Sequence, residues 1–287
     1  MKVIALLPFK NEEQMLPSFL SNIAPAVDEI VAIDDGSTDR SVEILKEAGA
    51  HVYSNDLEVK SGWAELGIRE KLLQLGREHG GTHFAVMDAD ETFTGQFPAV
   101  CRKICERLEP GQKIRMQWLA MWKSVDHYRE DNSVWSNNYK DFIFADDGKM
   151  EYPKVWMHTP RTPGENTDDN SMILNPKYGA VIHFQFSDWS AFQIKQAWYR
   201  CSEWIRDQGN AGAVNQKYRI TMDDPNAVVV ALPEAWQQGV VFPKVSYEPD
   251  TENWRLKQML NWMEEYGVDF FKPLEIWHIP ELGALRK

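Results

Sequence analysis

The stretch Val86-Met87-Asp88-Ala89-Asp90-Glu91 places a group of carboxylates directly after a short apolar run. Residues 83–87 have the length and apolar character of a buried strand. Open α/β folds bind ligands at the carboxyl ends of their strands, so Asp88 and Asp90 are predicted to lie at a binding edge. Two carboxylates one residue apart can share a hard divalent cation such as Mg²⁺ or Mn²⁺. A solvated acidic loop is the alternative if the motif stands alone.

Three strand-and-helix units precede this stretch. Strands are predicted at 3–7, closed by Pro8, and at 29–33, 51–54 and 83–87, with amphipathic helices between them, the last at 63–79. Such an alternation predicts a Rossmann-like, doubly wound, mostly parallel sheet with right-handed crossovers.

A second acidic segment, Asp34-Asp35-Gly36-Ser37-Thr38-Asp39, follows the second predicted strand. Gly36 permits a tight turn and Ser37 can cap the following helix. Because the carboxyl ends of parallel strands share one edge of a sheet, both acidic segments are expected to face one crevice.

Composition limits the classes of function. The chain has 287 residues and a formal net charge of −12, which argues against a protein that binds mainly by neutralising a phosphate backbone. No apolar run approaches the ~20 residues of a membrane span, and the first residues enter a strand rather than a signal peptide, so a cytoplasmic location is expected. Cys101 and Cys105 have helical spacing, which favours one buried helix face over a disulfide or zinc site.

Three motifs together resemble family 2 glycosyltransferases of the GT-A fold. They are Pro8 with Lys10-Asn11-Glu12-Glu13, then Asp34 to Asp39, then Asp88-Ala89-Asp90-Glu91, in that order and spacing over residues 1 to about 95. The resemblance implies an α/β fold of GT-A type and transfer of a sugar from a nucleoside-diphosphate sugar, with a UDP-sugar favoured, to a carbohydrate or other hydroxyl acceptor.

The resemblance also implies roles for individual residues. Asp90 would ligate Mn²⁺ or Mg²⁺, Asp88 would contact the ribose or the water shell of the metal, and Asp35 would hydrogen-bond the nucleobase. Asp34 is assigned to turn chemistry instead. The remaining implied donor-side residues are Pro8, Asn11 and Glu12 on the first loop, Arg69 on the helix before the acidic strand, and His183 as a metal ligand or phosphate contact. A surface charge for Arg69 and a buried core histidine for His183 are the alternatives.

An inverting transfer needs a general base for the acceptor hydroxyl, and the resemblance places a carboxylate 70 to 80 residues beyond the metal cluster. The usual Glu-Asp or His-Glu pair is absent here. The catalytic candidates are Glu165 and Asp168, with Asp169 and Glu151 behind them, and Glu165 is preferred for its spacing to His183. This departure leaves both the base and the stereochemistry open.

The second half of the chain is predicted to bind the acceptor. We expect a donor half at 1–110 and an acceptor half at 111–287, packed as one continuous domain, with residues 122–149 irregular. Helices are predicted at 97–108, from Trp189, and at 254–266. Trp118, Trp122, Trp135 and Trp156 could form an aromatic wall for the acceptor, although core packing explains any one of them. The acidic charge argues against a nucleic-acid acceptor but leaves local phosphate binding open.

Two other functions compete. A sugar-phosphate nucleotidyltransferase would use a related sheet, but Pro8-Phe9-Lys10-Asn11 lacks the expected glycines. A non-catalytic carbohydrate-binding protein would have the same sheet but no turnover. The complete acidic motifs argue against this alternative.

Overall fold

The computed structural model describes residues 1–56, 65–155, 159–164, 170–219, 224, 226–245 and 253–286. The strands are β1 (Val3–Phe9), β2 (Glu29–Asp34), β3 (His51–Ser54), β4 (His83–Val86), β5 (Glu91–Phe93), β6 (Lys113–Ala120), β7 (His127–Arg129), β8 (Tyr139–Ala145), β9 (Ser171–Ile173), β10 (Val181–His183) and β11 (Val229–Ala231). The α-helices are α1 (Leu16–Ile23), α2 (Ser41–Glu47), α3 (Glu65–Glu78), α4 (Phe97–Cys105), α5 (Trp189–Arg206), α6 (Ala211–Arg219), α7 (Glu234–Gln237), α8 (Trp254–Tyr266) and α9 (Pro280–Gly283).

The main sheet has the strand order β3-β2-β1-β4-β8-β6-β10-β5, and β9 pairs with β6. The first four strands in this order are parallel, whereas β8 runs antiparallel to both β4 and β6. β10 is parallel to β6, and β5 pairs antiparallel with β10 at the edge of the sheet. The predicted α/β fold, with a doubly wound and mostly parallel sheet, is confirmed.

Side chains of β1 alternate between two cores, as the period of two in a strand requires. Val3, Ala5 and Leu7 face the core that α1, α2 and α4 cover. Ile4 and Leu6 face the opposite core, which α3 covers with Ile68, Leu72 and Leu73 among others. Both faces of the sheet are therefore buried at β1, which is apolar throughout. Cys101 and Cys105 lie on the buried face of α4 with free thiols, as predicted.

Three predicted boundaries were wrong. β1 does not stop before Pro8 but continues to Phe9, since a proline near the end of a strand costs only one backbone donor. The helix predicted at 97–108 ends at Cys105. Residues 122–149, expected to be irregular, contain β7 and the central strand β8. In β8 the buried Asp141 interrupts an apolar run, and its partner Arg115 on β6 compensates the charge.

The chain forms two compact units, Met1–Gln185 with Val228–Lys244, and Phe186–Ala227 with Val245–Lys287. This division does not test the predicted donor and acceptor halves, 1–110 and 111–287, which stay a prediction. Within the described part of the chain, none of the helices combines the length and apolar character that crossing a membrane demands.

The second unit contains the two aromatic helices expected from the sequence. α5 is capped by Asp188, whose carboxylate accepts from the Ala191 N–H at 2.9 Å. Its buried stripe includes Ile194, Trp198 and Cys201, in agreement with the predicted apolar face. α8 spans Trp254–Tyr266 as predicted and contributes to the same apolar core.

Candidate functional site

The two acidic segments follow strands that flank β1. Phe9 of β1 pairs with Asp34 at the end of β2, and Leu6 pairs with Val86 at the end of β4. Neighbouring strands are about 4.8 Å apart, so β2 and β4 are separated by about 10 Å across the sheet. Asp35 and the segment with Asp88 and Asp90 therefore lie at the same edge of the sheet.

Asp34 and Asp35 have different contacts. Asp34 Oδ1 accepts a hydrogen bond from the Ser37 N–H at 2.8 Å, which closes the turn in which Gly36 has φ +83°. Asp35 Oδ1 accepts from the Asn55 side-chain amide at 2.6 Å, and its Oδ2 lies 3.9 Å from Lys10 Nζ. The turn geometry agrees with a structural role for Asp34, whereas the nucleobase role of Asp35 stays a prediction.

The first loop is bound to the turn that follows β2. Asn11 has φ +53°, accepts from the Thr38 N–H at 2.7 Å and donates its own N–H to Ser37 Oγ at 2.9 Å. The Glu12 N–H donates to Ser41 Oγ at 2.8 Å. Pro8 is buried inside β1. These contacts explain the shape of the loop, and roles of Pro8, Asn11 and Glu12 in substrate binding stay predictions.

Arg161 lies at the centre of the acidic cluster. Its guanidinium donates to both oxygens of Glu91, at 2.7 and 2.8 Å, and to Asp88 Oδ2 at 3.0 Å. It also donates to the Val86 carbonyl at 3.2 Å, and its carbon lies 4.6 Å from the centre of the Phe142 ring. Bidentate pairing of this kind fixes both partners in orientation as well as in charge.

The electrostatics of the cluster follow from burial and from Arg161. Burial raises the pKa of the Glu91 carboxyl, and the positive charge of Arg161 opposes that rise. Two parallel contacts with Arg161 and a third from the Asp88 N–H occupy the Glu91 oxygens, so the geometry is that of the ionised carboxylate. Burial also works to raise the pKa of Asp88, but Arg161 and Arg69 outweigh it and lower that pKa below its ordinary value.

Arg69 approaches the same cluster from α3. It is 7% exposed, and its Nη2 lies 3.7 Å from Asp88 Oδ1, with Glu65 at a similar distance from Nε. Among the described residues, Nε and Nη1 of Arg69 have no hydrogen-bond partner. The surface-charge alternative for Arg69 is wrong, because a buried guanidinium beside Asp88 belongs to the site. Its unmet donors are the kind that a diphosphate oxygen satisfies.

Asp90 and His183 form the second part of the cluster. Asp90 Oδ2 lies 3.5 Å from His183 Nε2, and β5 pairs with β10 so that Glu91 stands opposite His183. His183 is 3% exposed, and its ring stacks on Trp118, with ring centroids 4.2 Å apart and planes 18° apart. The histidine is therefore buried and held in one orientation, facing a carboxylate.

The donor atoms of this pair suit a divalent metal. One carboxylate oxygen and one imidazole nitrogen at this separation can share an ion, and the imidazole favours Mn²⁺ over Mg²⁺. Two protein ligands leave the remaining positions for diphosphate oxygens and water, as is usual for nucleotide sites. The residues present fit the expected cofactor, and Asp90 and His183 are the ones that would hold it.

The candidate bases Glu165, Asp168 and Asp169 lie outside the described residues, as does Trp156. Glu151 is exposed, and its carbonyl accepts from the Gly164 N–H at 2.8 Å. Of the proposed aromatic wall, Trp122 is buried at 4% exposure against Arg129 and Trp135. Core packing, the alternative named for the tryptophans, therefore accounts for Trp122, whereas Trp118 belongs to the site.

No site role is predicted from the sequence for Arg161 or Glu91. Arg161 stands between two prolines in a loop some 70 residues beyond the acids it binds, and no local pattern joins them. The available signal was electrostatic: three acids within four residues after a buried strand need a cation beside them.

Comparisons with known proteins found one family model and several solved structures that are similar to part or all of this chain. Residues 5–110 match the family model described as Glycosyl transferase family 2. A crystal structure of glucosyl-3-phosphoglycerate synthase from Mycobacterium tuberculosis, in complex with Mn²⁺ and UDP-glucose, is similar over 41% of this chain and 43% of that chain, with 23% identity and a TM-score of 0.29. The match thus spans less than half of the synthase. A structure of S. aureus TarS 1-349 is similar over 100% of this chain and 87% of that chain, with 14% identity and a TM-score of 0.43.

Proposed function

We propose that this chain, in which residues 5–110 match the glycosyl transferase family 2 model, is a metal-dependent enzyme using a nucleoside-diphosphate sugar. It would move a hexosyl or pentosyl group from that donor to a hydroxyl acceptor. The observation that carries the proposal is the pair formed by Asp90 and His183, whose facing oxygen and nitrogen are 3.5 Å apart at the edge where Asp35 also lies.

Each carboxylate of the cluster has its own task in this proposal. Arg161 neutralises Glu91 and orients Asp88. Asp90, whose Oδ2 faces His183 Nε2 at 3.5 Å, would share a cation with that imidazole. A bound Mn²⁺ or Mg²⁺ would act as a Lewis acid on the departing diphosphate. Arg69, whose guanidinium lies beside Asp88 and has donors without a hydrogen-bond partner among the described residues, would bind a phosphate oxygen.

We assign the nucleobase to Asp35. One oxygen of Asp35 is held by the Asn55 amide, so the carboxylate has a set orientation beside the end of β1. A carboxylate accepts from a ring N–H, which uracil offers, and this favours a UDP-sugar. In support, the similar synthase structure was determined with UDP-glucose.

Transfer requires a base to take the proton of the acceptor hydroxyl while the bond from the sugar carbon to the diphosphate breaks and the new carbon–oxygen bond forms. Glu165 and Asp168 stay our candidates, and an inverting course follows if one of them acts directly on the acceptor. A cytoplasmic location likewise stays a prediction from the sequence.

The test is release of nucleoside diphosphate from a panel of UDP-, GDP- and dTDP-sugars, with Mn²⁺, Mg²⁺ or a chelator. We expect turnover with one donor class and its loss on chelation. Asp90→Asn should lower kcat/KM by about 100-fold or more, because loss of a metal contact removes several kcal/mol from transition-state stabilisation. Asp126→Asn, an exposed acid, is the matched control and should leave the rate unchanged.

The competing functions give other products. Pyrophosphate exchange with a sugar phosphate would indicate a nucleotidyltransferase, and sugar binding without turnover would indicate a non-catalytic module. Full activity of Asp90→Asn, or of the wild type in chelator, would overturn the metal-dependent mechanism.

A further inference from the structure

A second group of metal-ligating side chains lies at the opposite edge of the sheet. Glu29 is the first residue of β2, His51 is the first residue of β3, and His79 directly follows α3. Asp35 is six residues beyond Glu29, which is about 20 Å of extended strand. The group is therefore separate from the site that contains Asp35 and Asp90.

The three side chains converge on one point. Glu29 Oε2 lies 3.1 Å from His79 Nδ1 and 3.6 Å from His51 Nε2, and one ligand atom from each residue lies within 4.8 Å of the other two. Within the described ranges, this is the one set of three or more such residues that meets this distance. With metal–ligand bonds of about 2.0 Å, two ligands of a tetrahedral ion are about 3.3 Å apart. The two distances from Glu29 Oε2, 3.1 Å to His79 Nδ1 and 3.6 Å to His51 Nε2, lie on either side of that value.

The surrounding contacts suit ligation by these atoms. Tyr53 Oη lies 2.8 Å from His79 Nε2, so this nitrogen can carry the proton and donate to the hydroxyl while Nδ1 faces the group with its lone pair. Lys2 Nζ lies 2.6 Å from Glu29 Oε1, which leaves Oε2 directed at the two histidines. Lys2 also donates to the His79 carbonyl at 2.8 Å and so fixes the end of α3 against β2.

We propose that Glu29, His51 and His79 bind one divalent transition-metal ion of the Zn²⁺ class. Two imidazoles and one carboxylate are ligands that zinc takes, whereas Mg²⁺ and Ca²⁺ prefer oxygen alone. His51 has 45% of its side chain exposed, which leaves solvent access to a fourth position. The ion would join β2, β3 and the end of α3 by coordination bonds.

The experiment uses the full chain in the Asp90→Asn background, so that the proposed donor-site metal does not contribute. The protein is freed of metal and titrated with Co²⁺, whose visible absorption reports four-coordinate nitrogen and oxygen ligation, and Zn²⁺ is then measured by competition. We expect one equivalent to bind. His51→Ala and His79→Gln should each weaken binding at least about 10-fold.

His127→Ala is the matched control, since His127 is equally exposed at 45% and lies beside an acid, but forms no group of three with other described residues. This variant should bind Co²⁺ as tightly as the parent does.

A second readout is thermal unfolding, because an ion that binds only the folded state raises Tm. Zn²⁺ should raise Tm for the parent and for His127→Ala, and not for His51→Ala.

His51 is an exposed residue at the start of an edge strand, so His51→Ala is expected to fold, which circular dichroism without metal checks. The proposal is overturned if the parent binds no Co²⁺ or Zn²⁺, or if His51→Ala and His79→Gln bind as tightly as the parent. The contacts would then be a hydrogen-bonded group that holds Glu29 between Lys2 and the two rings.

Discussion

Arg161 and Glu91 face each other through two hydrogen bonds of 2.7 and 2.8 Å, although they are 70 residues apart in the chain and the Glu91 side chain is fully buried. The loop that carries Arg161 is thus joined to the acidic strand end by a charge pair. Without that guanidinium, Asp88, Asp90 and Glu91 would repel one another, and the fully buried Glu91 would have no compensating charge.

Arg161→Met is expected to lower the free energy of unfolding by about 3–5 kcal/mol, because removing one partner leaves a buried charge uncompensated. Urea unfolding followed by fluorescence measures this. Arg161→Lys should recover only part of the loss, since an ammonium cannot form the paired contact with both oxygens.

The control for this pair is Arg40→Met, which breaks an exposed pair with Glu43 and should leave the free energy of unfolding nearly unchanged. Equal stability of Arg161→Met and the wild type would show that Glu91 carries no charge in the folded protein.

Trp118→Leu is expected to weaken Mn²⁺ binding in the presence of UDP by about 10-fold or more while the fold is kept. The Trp118 ring stacks on His183 and fixes the plane of the imidazole, and groups that orient a metal ligand affect affinity on this scale. Calorimetric titration of Mn²⁺ into the UDP-bound protein gives the measurement. Trp135→Leu, on a tryptophan that contacts Trp122 instead, is the comparison and should leave the affinity unchanged.

The lowered pKa of the Asp131 carboxyl predicts that the free energy of unfolding depends on pH. Burial works to raise the pKa of Asp131, but hydrogen bonds from Ser133, Arg129 and Ser136 outweigh it and hold that pKa well below its ordinary value. A lowered folded-state pKa means that the contribution to stability is present above the unfolded-state pKa of about 4 and is lost as the pH falls below it.

Asp131→Asn should therefore lower the free energy of unfolding at pH 7 by about 1–2 kcal/mol, with a smaller difference from wild type below pH 4. Urea unfolding of both proteins between pH 3 and 7 gives the comparison. Asp269→Asn, at an 85% exposed acid, should show no such trend. A difference that stays constant over this range would mean that the charge of Asp131 does not contribute.

The parallel part of the sheet could be predicted from the sequence because its information is local. Each of β1, β2 and β4 is a continuous apolar run that ends in polar residues, which both locates the strand and shows which end faces the ligand. Asp34, Asp35 and Asp88 could be found for the same reason.

β8 and Arg161 could not be predicted in this way because both depend on distant partners. β8 is central, yet Asp141 lies buried within it and is tolerated only because Arg115 of β6 pairs with it at 2.9 Å. Periodicity in one strand does not reveal a compensating charge in another. Arg161 is likewise defined by acids 70 residues earlier, so its role appears only once the loop is folded.

Gly76 offers a test of how α3 packs on β4. A Cβ at this position would lie 2.5 Å from Phe84 Cε1 and 3.0 Å from Leu6 Cδ2, and both side chains are buried in the core under α3. Alanine favours a helix over glycine by about 1 kcal/mol, whereas overpacking of a core costs about 1–3 kcal/mol. The clash should decide the sign, so Gly76→Ala is expected to lower the free energy of unfolding.

A double-mutant cycle with Phe84→Leu measures the contact between the new methyl group and Phe84. The smaller leucine side chain leaves room for the methyl group, so the two changes together should cost less than the sum of their separate costs by at least about 0.5 kcal/mol. Additive costs would place the strain of Gly76→Ala elsewhere than at Phe84.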